Sequence, residues 1–350
     1  MGKSRYRCNE NSSYGKIICN FSNLLEAYRK AHASKRNDKR VIEFDKHYIQ
    51  NLHKILEYLK QKDWSKCFRY YRFVIREPKV RVVDALEFEG RIVQHVLCDK
   101  VLAPLLDKRL IKENCACRKS KGTMYASNIL KQNLIHFLKR NKTGYCLKMD
   151  IRKYFPHIDR TTLKHMIEPY FDEEMKEFVF WIIDNCPEEN GLPIGNQTSQ
   201  WFALFYLNKV DRIIKEKYQC KYYVRYMDDL IVIHKDKEYL KTLLNDLTFF
   251  INKELKLEFN EKTQITPLHR GVSFLGWKYT YNENHKIYKK IDSSKKKYRN
   301  KTLKRLNKEY VQGLINNNDF NDRMRSYISY MKLGDTYNYR LRHNCELKGI

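Results

Sequence analysis

Apolar residues recur along this chain at two spacings, one helical and one alternating, and the switches between them outline the elements. From Phe21 to Lys35 the segment FSNLLEAYRKAHASK places Leu24, Leu25, Tyr28 and Ala31 on one helical face, with Ser22 positioned as its N-cap. A second helix is predicted over Val41 to Gln61 from Phe44, Tyr48, Leu52, Ile55, Leu56 and Leu59. Between Cys67 and Val83 the stretch FRYYRFVIREPKVRVV alternates and is rich in aromatic and β-branched residues, which predicts two strands broken at Glu77-Pro78. Helical spacing returns over Glu87–Leu106, Ala126–Arg140 and Thr161–Asn185, then in the apolar WFALFYLNKVDRII after Gln200, and over Glu238–Leu257. Short strands are predicted at Tyr145–Met149, Phe259–Thr266 and Val272–Thr280, the last two completing one sheet. Lys286–Lys308 reads as a basic amphipathic helix through Tyr298, Leu303 and Leu306, and Phe320–Lys332 as a further helix.

One stretch breaks the pattern with chemistry. In KYYVRYMDDLIVIH, Lys221 to His234, apolar and aromatic residues flank an adjacent pair of carboxylates. This predicts two buried strands meeting at a tight turn whose tip carries Asp228 and Asp229. Burying neighbouring carboxylates is costly unless cations neutralise them, and an oxygen-only donor set suits Mg²⁺. A solvated hairpin with Asp at its turn would carry the same residues. A second carboxylate, Asp150, ends a strand in CLKMDIRKYFPHID, where it can face that turn while the Ile151 carbonyl adds an oxygen. Taken alone, Asp150 is better read as a helix N-cap. Gly191–Gln200 (GLPIGNQTSQ) is a Gly/Pro turn entering a helix, a place where free backbone N–H groups meet a phosphate or base.

Charge narrows the class of partner. The 350 residues carry 69 Lys and Arg against 41 Asp and Glu, a net charge of +28 that repels itself unless a polyanion is bound. Hydrophobic residues make up 42%, enough for a packed core. Arg69, Arg72, Arg76, Lys79 and Arg81 are interleaved with aromatics on the first ribbon, which can lie on nucleic-acid phosphates; a solvated edge hairpin would look similar. Lys295, Lys296, Lys297 and Arg299 belong to a run of eleven basic residues with the single acid Asp292. No apolar run of 18 residues exists, so no membrane partner is expected. The ten cysteines form no C-x-x-C pair, which points to a reducing cytoplasm without a structural metal cluster.

From about Phe68 to Tyr281 these motifs resemble, in order and spacing, the reverse transcriptases. The resemblance implies an α+β right-hand polymerase whose antiparallel palm sheet carries the catalytic aspartates. It divides the chain into an N-terminal helical extension (1–60), fingers (61–145, with 161–187 as fingers or palm helices), palm (146–160 and 188–285) and a basic helical thumb (286–350). It implies that Asp150, Asp228 and Asp229, with the Ile151 carbonyl, hold two Mg²⁺ ions, for which Mn²⁺ can substitute. Lys79 and Arg81 would grip the incoming triphosphate, and Phe155 would exclude a ribose 2′-OH. Ile194, Gly195 and Gln200 would line the nascent base pair, and Val272–Trp277 would grip the primer. Lys262 is a candidate for protonating pyrophosphate, a position where a solvated lysine would look the same.

Within that family, IGNQTSQ (Ile194–Gln200) is similar to the I-G-x-x-x-S-Q signature of diversity-generating retroelement enzymes. NLLEAYRKAHASKR and RIVQHVLCDKVLAP are similar to that group as well. The expectation is a bacterial or phage-encoded, cytoplasmic RNA-directed DNA polymerase, error-prone at template adenines. It would use dNTPs, hold a template RNA and its cDNA/RNA hybrid, and work with a basic, oligomeric accessory protein. Antiphage-defence, retron and group II intron enzymes share much of the pattern. Neither a maturase or zinc-endonuclease extension nor an RNase H domain is expected after the last strands.

Overall fold

The computed structural model describes residues 8–33, 35–76 and 80–343. At the N-terminal end the Asn20 carboxamide accepts the Asn23 N–H at 3.1 Å and opens helix α1 (Phe21–Ala33). The expected cap, Ser22, lies inside the first turn, because Asn20 also offers its carbonyl to Leu24 N–H. The single helix expected over 41–61 is two, α2 (Lys39–Asp45) and α3 (Tyr48–Lys60). Asn51 donates to the Phe44 carbonyl at 3.0 Å across the break, and the bend turns Phe44 and Tyr48 onto the same ring, Tyr28. Aromatic packing outweighs helical continuity there.

Strands β1 (Tyr70–Ile75) and β2 (Arg81–Leu86) form the antiparallel ribbon, paired from Tyr70↔Leu86 to Ile75↔Arg81. The predicted break at Glu77-Pro78 lies outside the described residues, as does Lys79. Helix α4 (Phe88–Leu97) continues through a π turn at Cys98–Leu102 into α5 (Ala103–Leu106), and α6 spans Thr123–Leu138. Beyond β3 (Tyr145–Asp150) and the single turn α7 (Tyr154–His157), the long helix expected over 161–185 is broken. Helix α8 (Arg160–Ile167) and α9 (Glu173–Asp184) are separated by a 3-10 turn holding Pro169, which lacks an N–H to continue the ladder. Asp159 and Asp172 cap the two helices, at 2.8 and 3.0 Å from Thr162 N–H and Met175 N–H.

Helix α10 (Gln197–Tyr206) and α11 (Asn208–Arg212) lead to strands β4 (Tyr222–Tyr226) and β5 (Asp229–His234), then α12 (Lys237–Leu255) and β6 (Gln264–Pro267). The four strands form one antiparallel sheet in the order β4-β5-β3-β6. Phe259, expected to open the last strand, makes an isolated bridge with Ile151 instead. Alternation gives the sheet two faces. Leu147, Met149, Tyr223, Leu230 and Val232 join the large core; Cys146, Val224, Ile231 and Ile233 meet α6 in a second core.

The expected strand over 272–280 is a hairpin, β7 (Val272–Phe274) and β8 (Trp277–Tyr281). Leu275 and Gly276, at φ of 51° and 81°, make the two-residue turn that reverses the chain. With β9 (Ile287–Ile291) these strands form a separate three-stranded sheet, so they do not complete the first one. The strand β9 also displaces the start of the expected basic helix. Its IYKKI pairs with β8, and α13 (Ser293–Val311) begins only after Asp292, whose carboxylate accepts Ser294 N–H at 2.9 Å. Helices α14 (Asn317–Met331) and α15 (Tyr337–Arg342) follow, the latter unexpected. Among the described residues no helix is long and apolar enough to cross a membrane.

The basic helices are held to the second sheet by an aromatic stack with cations on both of its rings. Lys289 Nζ lies 4.8 Å from the Trp277 ring, Trp277 stacks on Tyr330 at 5.2 Å, and the Arg299 guanidinium sits 4.0 Å from the Tyr330 ring. Tyr330→Ala is expected to cost about 2 kcal/mol of local stability. Limited trypsin digestion should then cut α13 several-fold faster while leaving β3–β5 protected; an unchanged cleavage pattern would show the stack to be incidental.

Candidate active site

The turn carrying the paired aspartates is built on a buried charge. On β4, Tyr223 and Arg225 point to the core face, and Arg225 is fully buried. Its guanidinium meets the equally buried Asp211 of α11 through Nε to Oδ1 at 2.7 Å and Nη2 to Oδ2 at 2.6 Å. Nη2 also donates to the Leu204 carbonyl at 3.0 Å, and the Tyr223 hydroxyl donates to Asp211 Oδ1 at 2.7 Å. The remaining arm, Nη1, donates to the carbonyl of Met227 at 2.9 Å. Met227 has φ 55°, a left-handed conformation unfavourable for a side chain of its size, so the turn needs such a hold. The Arg225 backbone is tied as well, since its N–H donates to Glu113 O and its carbonyl accepts Cys115 N–H.

Register then places the carboxylates. Tyr226 pairs with Asp229 across the two-residue turn, and Asp229 pairs with Asp150 across β5 and β3. Cross-strand partners share a face, so Asp150 and Asp229 lie side by side at the polar end of the face that packs on α6, with Asp228 at the tip. Thr263 Oγ1 accepts the Asp150 N–H at 3.2 Å. Burial raises the Asp228 carboxyl, Asp150 adds to the shift, and Arg225 and Arg81 oppose it through space. Burial pushes Asp229 up to about 7, with Asp150 and Asp228 adding and Lys148 opposing. Asp229 Oδ1 is buried without a hydrogen-bond partner. An oxygen-only cluster with an orphaned carboxylate oxygen and mutual repulsion fits a hard divalent cation. Among the described residues no three His, Cys, Asp or Glu side chains form a ready-made metal cage, so further oxygens must come from elsewhere.

The other expected residues divide into two groups. Lys262 is exposed, and with Asp150, Asp229 and Lys295 it lines a cavity of about 440 Å³ between the two sheets. Arg81 opens β2 and acts on Asp228 through space. The ladder bonds beside Ile151 use the Asp150 carbonyl and Arg152 N–H, which leaves the Ile151 carbonyl outside them. Phe155 is half-buried, and its carbonyl accepts Leu192 N–H at 2.9 Å. A Cβ at Gly191, φ 73°, would sit 2.3 Å from that same carbonyl, so this close approach requires glycine. Ile194 and Gln200 are half-buried, and a Cβ at Gly195, φ 116°, would sit 2.8 Å from Val83 Cγ1 of β2. In the second group the cations have local partners. Arg72 grips Asp84 bidentately at 2.8 and 3.0 Å, Arg69 lies 3.4 Å from Glu89, and Arg299 stacks on Tyr330. Lys296 and Lys297 are exposed on α13.

A family model described as reverse transcriptase (RNA-dependent DNA polymerase) matches residues 75–279, more than half of the chain. Over 167 residues the chain is 28% identical to the Retron Ec73 reverse transcriptase of Escherichia coli, covering 44% of this chain and 49% of that protein. The chain thus spans about half the length of the curated relative it matches. Among solved structures, apo telomerase from Candida tropicalis truncated from its C-terminal domain aligns with a TM-score of 0.48 and 16% identity, over 64% of this chain and 55% of that one. Telomerase from Candida albicans in complex with a fragment of telomeric RNA aligns with a TM-score of 0.46 and 11% identity, over 70% and 50%.

Sequence reasoning missed Arg225, Asp211 and Lys148. Arg225 carried a signal, because alternation places it on the same face as Tyr223, toward the core. Its partner, fourteen residues upstream on a helix, carried none. Arg225→Met should cost about 3–5 kcal/mol, since it strands the Asp211 charge in the core. Asp211→Leu should cost a similar amount for the mirrored reason. The double variant should recover part of the loss, and urea midpoints of the four proteins check this. Additive losses would mean that the two charges do not depend on each other.

Proposed function

The chain belongs to the reverse transcriptase family, and on that premise we propose that it is an RNA-directed DNA polymerase that copies a template RNA into cDNA. The observation that carries the reading is the cross-strand pairing of Asp150 with Asp229 beside Asp228 at the tip of a braced turn. Members of the family use divalent metal ions. Here Asp150 and Asp228 would hold two of them, with the Ile151 carbonyl and Asp229 in support, Mg²⁺ being the natural ion and Mn²⁺ a substitute. When bound, such ions lower the pKa of a primer 3′-hydroxyl and stabilise charge on the departing pyrophosphate.

The protein's own groups supply the rest. Arg81, within electrostatic reach of Asp228, would pair with the triphosphate together with Lys79. Lys262, which lines the same cavity as Asp150 and Asp229, would donate a proton to pyrophosphate. Phe155, pinned by Leu192 N–H, would fill the space of a ribose 2′-OH. On a right-hand layout 1–60 would be the N-terminal extension, 61–145 the fingers with 161–187 as fingers or palm helices, 146–160 and 188–285 the palm, and 286–350 the thumb. The cDNA/RNA hybrid would run from the cavity toward Lys295, Lys296 and Lys297, whose exposure suits phosphate contacts. Asp228→Asn should lower dNTP incorporation on an RNA template by more than about a hundredfold with the fold intact. Activity within tenfold of wild type would falsify the carboxylate assignment.

The finer proposal is error-prone copying in a diversity-generating retroelement, assisted by a basic accessory protein. Its support is the IGNQTSQ stretch and the half-buried, apolar Ile194, which cannot hydrogen-bond an incoming nucleotide. A retron-like role is the second reading, favoured by the identity to the Retron Ec73 enzyme. Ile194→Gln separates them. Under the first reading it lowers misincorporation opposite template adenine by tenfold or so, a change worth about 1.4 kcal/mol. Sequencing cDNA from both proteins on one template is the check. A wild type already accurate at adenine would leave the retron-like reading in place.

A further inference from the structure

Lys148 stands two residues before Asp150 on β3, so both side chains lie on the same face of the sheet. Its ammonium is 3.6 Å from Asp229 Oδ2 and donates to the Ser273 carbonyl of β7 at 2.9 Å. One side chain therefore touches the carboxylate cluster and the second sheet together. It lines the same cavity as Asp150, Asp229 and Lys262, and it is 28% exposed, so the ammonium is reachable from that cavity. Asp292, the cap of α13, lies within its electrostatic reach. The cluster of Asp150, Asp228 and Asp229 thus has a resident cation supplied by the chain itself.

We infer that Lys148 is a positioning residue that serves as the built-in counter-ion of Asp229, opposing divalent-cation binding while tethering that carboxylate to the second sheet. The inference rests on the metal-binding reading of the carboxylates given above. Two effects of the same side chain then have opposite signs. Its charge repels an incoming divalent ion, which weakens binding. Its ion pair with Asp229 and its hydrogen bond to the Ser273 carbonyl hold the carboxylate and the β7 main chain together, which favours turnover. A side chain that only filled space would show neither effect.

The test measures Mn²⁺ binding to the full chain by the loss of the free-ion EPR signal, alongside primer extension. Lys148→Met removes charge and tether; Lys148→Gln removes the charge but keeps a donor for the Ser273 carbonyl; Lys148→Arg keeps both. Both neutral variants should bind Mn²⁺ on the order of three- to tenfold more tightly, since a like charge near the ion is gone. Lys148→Arg should bind as wild type does. Turnover should fall in Lys148→Met in spite of the tighter binding, and less so in Lys148→Gln. Equal or weaker Mn²⁺ affinity in either folded neutral variant overturns the counter-ion role. Asp150→Asn distinguishes the underlying reading: if it binds Mn²⁺ as well as wild type, the carboxylates are not the metal site and the inference falls with them.

Discussion

A fully buried arginine–aspartate pair lies beneath the left-handed turn that carries Asp228. Desolvating Arg225 and Asp211 costs more than their attraction returns unless every arm is bonded, and here the Tyr223 hydroxyl and the Leu204 carbonyl complete the set. The surplus donor holds the Met227 carbonyl, and with it a turn that an unsupported methionine would leave. What the pair contributes is geometry. With the turn fixed, β4 and β5 have one register, and that register sets Asp229 opposite Asp150.

The rest of the sheet follows from alternation on that frame. One face feeds the large core through Leu147, Met149, Leu230 and Val232; the other is apolar where it meets α6 and ionic where it leaves it. A single strand, β3, shows the change over five residues, from buried Cys146 through Lys148 to Asp150. The electrostatics come from this arrangement. Three carboxylates share a partly desolvated corner, which raises Asp228 and Asp229 and leaves one oxygen of Asp229 without a partner. The built-in cations, Lys148 from the sheet side and Arg81 from the ribbon, offset the charge only in part.

Much of this was legible in the sequence because short-range patterns encode it. YMDD between two apolar runs announced the turn, CLKMD announced the strand ending in Asp150, and the aromatic–basic alternation announced the ribbon. Element boundaries failed where long-range packing decided them. Nothing local breaks the helix at Asp45, yet Tyr28 draws Phe44 and Tyr48 to one place. Leu275-Gly276 was a hairpin signal hidden by the apolar residues around it, so VSFLGWKYT looked like one strand. The lysines of IYKKI masked a strand as the start of a basic helix. The partners of Arg225 and Lys148 depend on α11 and β7 folding back onto the sheet, contacts that no periodicity records.

If the braced turn and β3 together present Asp150 and Asp228 as a divalent-ion site for nucleotidyl transfer, the bound metal itself will report it. Crystals grown with Mn²⁺, an RNA/DNA primer–template and a non-hydrolysable dNTP analogue would test it through the anomalous signal of the metal. Two peaks about 4 Å apart are expected, each in contact with Asp150 and Asp228. Arg225 should still hold the Met227 carbonyl in that complex. Peaks away from these carboxylates, or a turn that has left Arg225 on nucleotide binding, would contradict it.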